Sequence, residues 1–395
     1  MRKSYKYRLS PTRKQAQALQ ETLNRCRELY NAALQERRDA YRMCHISLNY
    51  YDQAAQLSEV KECREEYKDI HSQVLQDVLR RVEKGMNAFY RRIKAGEKPG
   101  YPRYQGRDRY DSFTYPQGGY SIMHDTRVSL SKIGSVKVKL HRPIEGTIKT
   151  CTVKREGEHW YVVFSCESAE SAATHLPYTD DAIGIDLGLL HFATLSTGDT
   201  IENPRYYRRG EAKLQRAQHH LSRCKKGSHR RTKARKQVAK AQRKVKNQRH
   251  DFLHKQSRQL VNTYEVIVFE DLAPSNMSKS PKPKQDENGV YLPNGASIKA
   301  GLNKSILDAG WGTFVSMVKS KAEWATSVTV LTVDPKYTSQ VCSGCGTLRK
   351  KELSERWHSC ECGCELDRDH NAALNILAKG MKTLSGGTRP TLGTA

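Results

Sequence analysis

The sequence lacks the long apolar stretch that a membrane-spanning helix requires. No hydrophobic run approaches the roughly 20 residues needed to cross a bilayer. The first ten residues, MRKSYKYRLS, contain no apolar core of a secretion signal. We therefore expect no membrane partner and a cytoplasmic location.

Acidic residues are few compared with basic ones. The chain has 68 Lys and Arg against 42 Asp and Glu, a formal net charge of +26. Residues 205–258 alone carry 20 Lys and Arg against Glu211 and Asp251. A concentrated excess of this kind favours a polyanionic partner, most simply nucleic acid, over a charge that only keeps the protein soluble.

The cysteines do not form the pattern of a disulfide framework. There are 11, an odd number, and five lie between Cys342 and Cys364 while the other six are scattered. One dense cluster in an otherwise scattered set is typical of a reducing compartment and a single metal site. The sequence also has no G-x-x-x-x-G-K-[ST] loop and no convincing Ser/His/Asp arrangement, so it indicates neither a nucleotide-driven motor nor a serine hydrolase.

Helical periodicity dominates the first quarter of the chain. Residues 3–9 alternate as in a short strand, and Ser10 and Pro11 are suited to begin the helix that follows. A second amphipathic helix is predicted over about 70–94. The apolar positions at helical spacing are Leu19, Leu23, Cys26, Tyr30 and Leu34 in the first helix, and Val74, Val78, Val82, Phe89 and Ile93 in the second.

Residues 94–120 interleave basic residues with tyrosines. Aromatic and cationic side chains together can stack on bases and contact phosphates, so Tyr101, Arg103 and Tyr104 are candidate nucleic-acid contacts. A strand-and-turn region with half-buried tyrosines is an equally good interpretation, and the two are compatible. From about 127 to 167 the alternation predicts a β-rich module with a hairpin turn at REGEHW.

The basic segment 205–258 predicts a helical hairpin with one narrow apolar stripe. A solvated face with many salt bridges is the usual explanation of such a charge run, but acids are almost absent here. A surface that follows a phosphate backbone is therefore favoured. The candidate contacts are Arg230, Arg231, Lys233, Lys236, Lys240 and Arg243.

Acids at strand ends and at a helix start predict a second kind of chemistry. Three antiparallel strands are expected to begin near AIGIDLG, which contains Asp186, and the strand YEVIVFEDL ends at Glu270. A long polar loop over 278–301, one helix over 305–325 and a strand over 327–335 follow. This is the layout of an RNase H-like fold, whose clustered acids bind two Mg²⁺ ions for phosphodiester hydrolysis. The third acid is Asp367 or Asp369 of DRD.

Two cysteine pairs predict one structural Zn²⁺ ion. Cys342 and Cys345 form a CxxC pair, and Cys360 and Cys362 follow after a gap of 14 residues. Four thiolates at this separation suit a closed tetrahedral zinc site. Cys362-Gly363 repeats the turn of Cys345-Gly346, which favours Cys362 as the fourth ligand. Cys364 stays open as an alternative.

These motifs, in this order, resemble the TnpB (OrfB) family of transposon-encoded RuvC-like proteins, to which type V CRISPR effectors are more distantly similar. The matching pieces are GIDLG, VFEDL, GLNKSILDAGWG, YTSQVCSGCG and DRDHNAALNI, with YRLSPTRKQ, SQVLQDVLRR and KAGEKPGYPRY in the first part of the chain. The resemblance implies an RNA-guided DNA endonuclease. A guide RNA would pair with double-stranded DNA beside a short flanking motif, and one site with two Mg²⁺ ions would cut both strands.

The resemblance also implies roles for single residues. Asp186, Glu270 and Asp369 match the family's acidic triad, because the third acid is followed by one residue and then Asn-Ala. Asp367 is then a helix-capping or salt-bridging acid at the junction with the zinc module. The helix near Ser72, Gln73 and Gln76 would help to recognise the flanking motif.

The implied fold class is α/β and multidomain, with an RNase H-like (RuvC) nuclease domain and an inserted zinc module. The expected domains are a wedge-like β-barrel (1–10 and 96–178), a helical recognition domain (11–95), the nuclease (179–340 and 366–380), the zinc module (341–365) and a flexible tail (381–395).

Two other functions share parts of this pattern. A guided DNA-binding regulator without cleavage would be expected to have degenerate acids, whereas this sequence keeps all three. A strand-transfer transposase shares the fold and the acids. The zinc insert before the last acid and the RNA-binding character of the first part favour the nuclease.

Overall fold

The structure is a computed structural model of the 395-residue chain, and it describes residues 2–107, 109–124, 126–167, 181–325, 327–352 and 355–385. These residues form two compact units that divide near residue 171. Within the described ranges, no helix is both long and apolar enough to cross a membrane. Part of the predicted tail is helical, since the last helix continues to Ser385; the rest of the tail, 386–395, lies outside the described residues.

The first unit begins with a strand that leads directly into a long helix. Strand β1 (Arg2–Ser10) and helix α1 (Arg13–Cys44) confirm the predicted pair. The predicted start at Ser10 and Pro11 was wrong, because Thr12 is the N-cap and forms a reciprocal capping box with Gln15. Two short helices that the sequence analysis did not predict, α2 (Tyr50–Ala55) and α3 (Leu57–Cys63), come next.

Helix α4 (Ser72–Lys94) confirms the second predicted helix. Its buried face contains Val74, Val78 and Val82, but Phe89 is only half-buried and Ile93 is 47% exposed. The apolar face therefore ends before the helix does. The Arg81 guanidinium fixes α4 to the adjacent sheet by donating to the Ser112 carbonyl and the Thr114 hydroxyl, each at 2.7 Å.

Seven antiparallel strands complete this unit. After β1 they are β2 (Ser112–Tyr115), β3 (Tyr120–Met123), β4 (Arg127–Leu130), β5 (Gly134–Lys139), β6 (Thr147–Glu156) and β7 (His159–Glu167). Their order is β2-β6-β7-β1-β5-β4-β3. The two edge strands are consecutive in the chain, and the Tyr115 hydroxyl of β2 donates at 3.0 Å to the carbonyl of Ser131, which directly follows β4 beside the other edge. The sheet is therefore strongly curled.

The second unit is built on a mixed five-stranded sheet. Its strands are β8 (Ala182–Asp186), β9 (His191–Leu195), β10 (Thr200–Glu202), β11 (Val266–Glu270) and, numbered later, β14 (Thr329–Val333). The order is β10-β9-β8-β11-β14, with β10, β9 and β8 antiparallel and β8, β11 and β14 parallel. The three predicted opening strands and the strand ending at Glu270 are confirmed.

Helices cover both faces of this sheet. One face carries Ile267 and Phe269, which pack against helices of the unit, and the other carries Val266 and Val268, which pack with Ile376 of α10 (Arg368–Ser385). This alternation follows from the period of two along a strand. Both faces are buried, as expected where parallel strands lie at the centre of a sheet.

The basic segment forms the predicted helical hairpin. Helices α5 (Tyr206–Arg223) and α6 (His229–Thr263) are separated by the CKKGS turn. Asp308 binds both helices of the hairpin, from 101 and 59 positions away in the sequence. Its carboxylate accepts from the Tyr207 backbone N–H at 2.9 Å, near the start of α5, and from Arg249 of α6 at 2.7 Å.

The region between β11 and β14 differs from its prediction. The expected loop at 278–301 contains strands β12 (Lys284–Gln285) and β13 (Tyr291–Leu292), after the short helix α7 (Pro274–Met277). The expected helix at 305–325 is two helices, α8 (Ala296–Ala309) and α9 (Trp311–Ala325). Gly310, at a φ of 71°, divides them because a left-handed backbone interrupts the helical hydrogen bonds.

Candidate functional site

Asp186 and Glu270 are neighbours across the parallel strands β8 and β11. The register pairs Val268 with Gly184 and Phe269 with Ile185, so the next pair is Glu270 with Asp186. Ile185 and Phe269 pack into the core on the sheet face opposite α10. Successive side chains of a strand point to opposite faces, so the two acids that follow them are on the face that α10 covers.

Helix α10 brings the third acid to the same place. It packs so closely on β8 that a Cβ on Gly184 would lie 2.2 Å from the Ala373 carbonyl oxygen. The carboxylate of Asp367 accepts from the backbone N–H groups of Asp369 and His370, at 2.8 and 3.3 Å, which is the predicted capping role. Asp369 is in the first turn of the helix, and its charge acts on Asp186.

All three acids have raised pKa values. Burial, and then the charges of Glu270 and Asp369, raise the pKa of Asp186 to about 8. Burial also raises the pKa of Glu270, against a hydrogen bond from Thr338 that lowers it, and burial followed by the charge of Asp367 raises the pKa of Asp369. Burial without a bound cation thus disfavours the ionised form of each acid. Carboxylate oxygens are the ligands that Mg²⁺ prefers, so these residues fit divalent-cation binding.

The four predicted zinc ligands come together in space. The Sγ atoms of Cys342, Cys345, Cys360 and Cys362 all lie within 4.8 Å of one another. The pairs Cys342–Cys362 and Cys345–Cys360 approach to 3.6 and 3.5 Å. Four thiols at this spacing fit a tetrahedral Zn²⁺ site.

The two cysteine turns have the same local geometry. Gly346 and Gly363 both have positive φ, at 77° and 83°, as required where the chain folds back behind a ligand. A hydrogen bond with the Thr347 hydroxyl lowers the pKa of Cys345 to about 6, which favours the thiolate that zinc requires.

A second donor group shares Cys342. The donor atoms of Cys342, His358 and Cys364 also lie within 4.8 Å of one another. His358 is fully buried, and its Nδ1 contacts the Lys351 ammonium. Cys364 therefore lies beside the cluster but outside the group of four.

The predicted residues of α4 are not equally accessible. Ser72 and Gln76 are exposed, and the Ser72 hydroxyl accepts from Lys61 at 2.8 Å. Gln73 instead accepts from the Gly118 backbone N–H at 3.1 Å, which ties α4 to the β2–β3 turn. Gln73 thus has a structural partner that the sequence did not predict.

Residues 94–120 contain both exposed and buried aromatic side chains. Tyr101 and Tyr104 are 40% and 41% exposed, and Arg103 is exposed. Tyr101 packs edge-on against Phe89, and the Tyr104 hydroxyl donates to Gln35. The aromatic residues that are buried instead are Tyr110, Phe113 and Tyr115.

The hairpin presents most of its predicted phosphate contacts to solvent. The exposed ones are Arg230, Lys233, Lys236 and Lys240, and Arg243 is half-buried. Arg231 differs, because its guanidinium donates to the carbonyls of Leu221 and Cys224, at 3.1 and 3.0 Å, and so closes the end of α5.

Sequence reasoning missed the polar residues that support the two metal-type sites. Thr338 donates to Glu270, and Asn371 and Asn375 of α10 bind the backbone that leads into Cys342. DRDHNAALNI contains the only signal, two Asn residues four apart on one helix, but nothing local indicates what they contact.

Three protein-family models match the chain. OrfB_IS605, described as "Probable transposase", matches residues 161–281. "Cas12f1-like, TNB domain" matches 311–376, and "Helix-turn-helix domain" matches 1–44. In this structure the last range consists of β1 and the single helix α1.

Whole-length relatives match as well. A protein of Streptomyces pristinaespiralis named "Putative RNA-guided DNA endonuclease" is 34% identical over 402 residues, with 99% of this chain and 92% of the relative covered. "Putative RNA-guided DNA endonuclease InsQ" of Escherichia coli (strain K12) is 32% identical, with 97% and 94% covered. A solved structure titled "Structure of the mini-RNA-guided endonuclease CRISPR-Cas_phi3" has 10% identity and a TM-score of 0.48, with 100% and 94% covered. With sequence matches of this length and identity, the chain belongs to the TnpB (OrfB) family of transposon-encoded RNA-guided DNA endonucleases.

Proposed function

We propose that this chain is an RNA-guided DNA endonuclease whose single nuclease site consists of Asp186, Glu270 and Asp369. One observation carries the proposal: β8, β11 and α10 bring three acids, distant in sequence, to one face of the sheet. The strand order β10-β9-β8-β11-β14 supports an RNase H-like (RuvC) core. The family relationship supports the guided mode of action.

The acids would hold two Mg²⁺ ions, which when bound supply an activated water and charge stabilisation for phosphodiester hydrolysis. Asp186 is the residue whose charge is most strongly disfavoured without a cation, so it would be a ligand of the bound cations. Glu270 is held in place by the Thr338 hydroxyl. Asp369 is held by the first turn of α10, which Asp367 caps.

The partners follow from charge and exposure. The cationic face of α5 and α6 is proposed to bind the phosphates of the guide RNA or its duplex with DNA. Ser72 and Gln76 on α4, with Tyr101, Arg103 and Tyr104, are the proposed contacts near the flanking motif. The curled sheet of the first unit is proposed to be the wedge, and one Zn²⁺ ion on Cys342, Cys345, Cys360 and Cys362 a structural ion.

Cleavage of a matched DNA duplex by the protein purified with its co-expressed RNA tests the proposal. Asp186→Ala and Glu270→Gln should each abolish cutting and keep binding of RNA and target, because each removes a cation ligand without altering the cationic surfaces. Asp271→Asn is the matched control for Glu270, since it is the adjacent acid but is exposed. It should cut like the wild type.

The results also separate the alternative functions. Continued cutting by Asp186→Ala would disprove the site assignment. A wild type that binds matched DNA but never cuts it would support the regulator. Products joined to a second DNA instead of hydrolysed ends would support the transposase.

A further inference from the structure

The backbone segment Thr338–Ser343 connects the two candidate metal sites. Its far end contains the zinc ligand Cys342, and its near end contains Thr338, which is 4% exposed. The Thr338 hydroxyl contacts the Glu270 carboxylate as a donor and lies 3.1 Å from the Pro335 carbonyl oxygen. A half-buried acid of the proposed nuclease site is thus hydrogen-bonded to the chain that enters the zinc module.

Helix α10 is hydrogen-bonded to the same segment through two side-chain amides. Asn371, fully buried, donates to the Val341 carbonyl at 2.8 Å and accepts from the Ser343 backbone N–H at 3.0 Å. These contacts bracket Cys342 on both sides. Asn375, 8% exposed, donates to the carbonyls of Thr338 and Val341, at 2.9 and 2.7 Å.

The geometry points to a positioning role: we propose that Thr338, Asn371 and Asn375 transmit the order of the zinc module to Glu270 and Asp369. Asn371 lies two residues after Asp369 on α10. A shift of the helix start would therefore break the hydrogen bonds of Asn371 with Val341 and Ser343. A disordered zinc module would release Thr338 from Glu270. This inference rests on the proposed function, because it assigns these residues to the same acidic site.

Burial makes this linkage rigid. All three side chains are at least nine-tenths buried, so water cannot replace a lost hydrogen bond, and an unsatisfied partner is unfavourable. Hydrogen bonds to metal-ligating groups orient those groups, and removing such a partner typically weakens metal binding or activity about 10–100-fold.

The central test compares Thr338→Val with Thr338→Ser in the full-length protein. Valine keeps the shape but loses the hydroxyl, whereas serine restores it. We expect Thr338→Val to need about 10-fold more Mn²⁺ for half of the cation-induced rise in melting temperature, and to cut about 10-fold more slowly in single-turnover assays. Zinc content and target binding should stay at wild-type values. Thr338→Ser should behave as the wild type.

Coupling to zinc is tested with Cys360→Ser, which removes one proposed ligand. In the wild-type background this change should also raise the Mn²⁺ requirement. In the Thr338→Val background it should add less, because the connection to Glu270 is already broken. Thr332→Val, at an exposed threonine of β14, is the matched control and should change nothing.

The inference is overturned if Thr338→Val has the wild-type Mn²⁺ requirement, or if Thr338→Ser is as defective as Thr338→Val. Full additivity of Cys360→Ser and Thr338→Val would overturn the coupling. If no variant cuts, wild type included, while the Mn²⁺ requirement still shifts as expected, the proposed function fails and the positioning role stands.

Discussion

Asp186 combines a proposed catalytic role with a cost to stability. It ends a strand in which Ile183, Gly184 and Ile185 are buried, and its half-buried carboxylate lies beside two further acids. The folded state therefore holds a proton on Asp186 up to a pH of about 8, whereas an unfolded aspartate releases it near about 3.9. In this window the metal-free folded state binds more protons than the unfolded state, so stability falls as pH rises.

We therefore predict that metal-free wild type loses more melting temperature than Asp186→Asn when pH rises from about 5 to about 8. Adding Mg²⁺ should remove the difference, because a bound cation favours the ionised carboxylate. Thermal unfolding of both proteins across this range, with and without Mg²⁺, measures it. Parallel metal-free curves would contradict the raised pKa of Asp186.

Gly184 is a second position that affects the site, because it has no Cβ atom where α10 packs on β8. A Cβ there would meet the Ala373 carbonyl oxygen at 2.2 Å and the Leu377 nitrogen at 2.7 Å, so α10 would have to move away from β8. Gly184→Ala should destabilise the protein by about 1–3 kcal/mol, typical of overpacking. It should also impair cutting, because Asp369 moves with the helix.

Denaturant unfolding and single-turnover cleavage measure the two effects of Gly184→Ala. Gly100→Ala is the control, since a Cβ at that position meets no atom within 4 Å. Equal effects of both substitutions would exclude the close approach as the cause.

At the scale of elements, the basic hairpin depends on one buried acid from α8. The Asp308 side chain is 6% exposed and is paired with Arg249. We expect Asp308→Ala to cost about 3–5 kcal/mol, because it leaves a partly buried arginine without its counter-charge. Urea unfolding measures this loss.

A surface ion pair of the same hairpin is the comparison for Asp308. Asp251 contacts Lys255 at 2.8 Å, but its side chain is 64% exposed. Asp251→Ala should cost less than about 1 kcal/mol. Similar losses for Asp251→Ala and Asp308→Ala would show that burial is not what makes Asp308 important.

At the scale of the whole molecule, the net charge of +26 is expected to affect nucleic-acid binding more than it affects folding. Replacing Lys233, Lys236 and Lys240 by glutamine should weaken nucleic-acid binding and reduce the slope of log affinity against log salt by about 2. Titrations at several salt concentrations give the slope. Glutamine at Lys14, Lys137 and Lys139, which are exposed outside the hairpin, should leave it almost unchanged. An equal reduction in both triple variants would mean that only total charge matters.

The sequence by itself determined the elements and the chemistry. Periods of two and 3.6 residues located the strands, the hairpin and most helices, because burial of one face leaves a local pattern. Cysteine spacing indicated zinc, since consecutive ligands must fold back within a few residues. Acids at strand ends predicted the nuclease site.

Only the tertiary structure decided how these pieces meet. Asp186 and Glu270 face each other because of a register between strands 84 positions apart. The group of four cysteines includes Cys362 and leaves Cys364 beside His358. Thr338, Asn375 and Asp308 have partners far along the chain, and a buried hydrogen bond between distant residues leaves no periodicity in the sequence. Local patterns encode which face a residue occupies, whereas its contacts follow from how the elements pack.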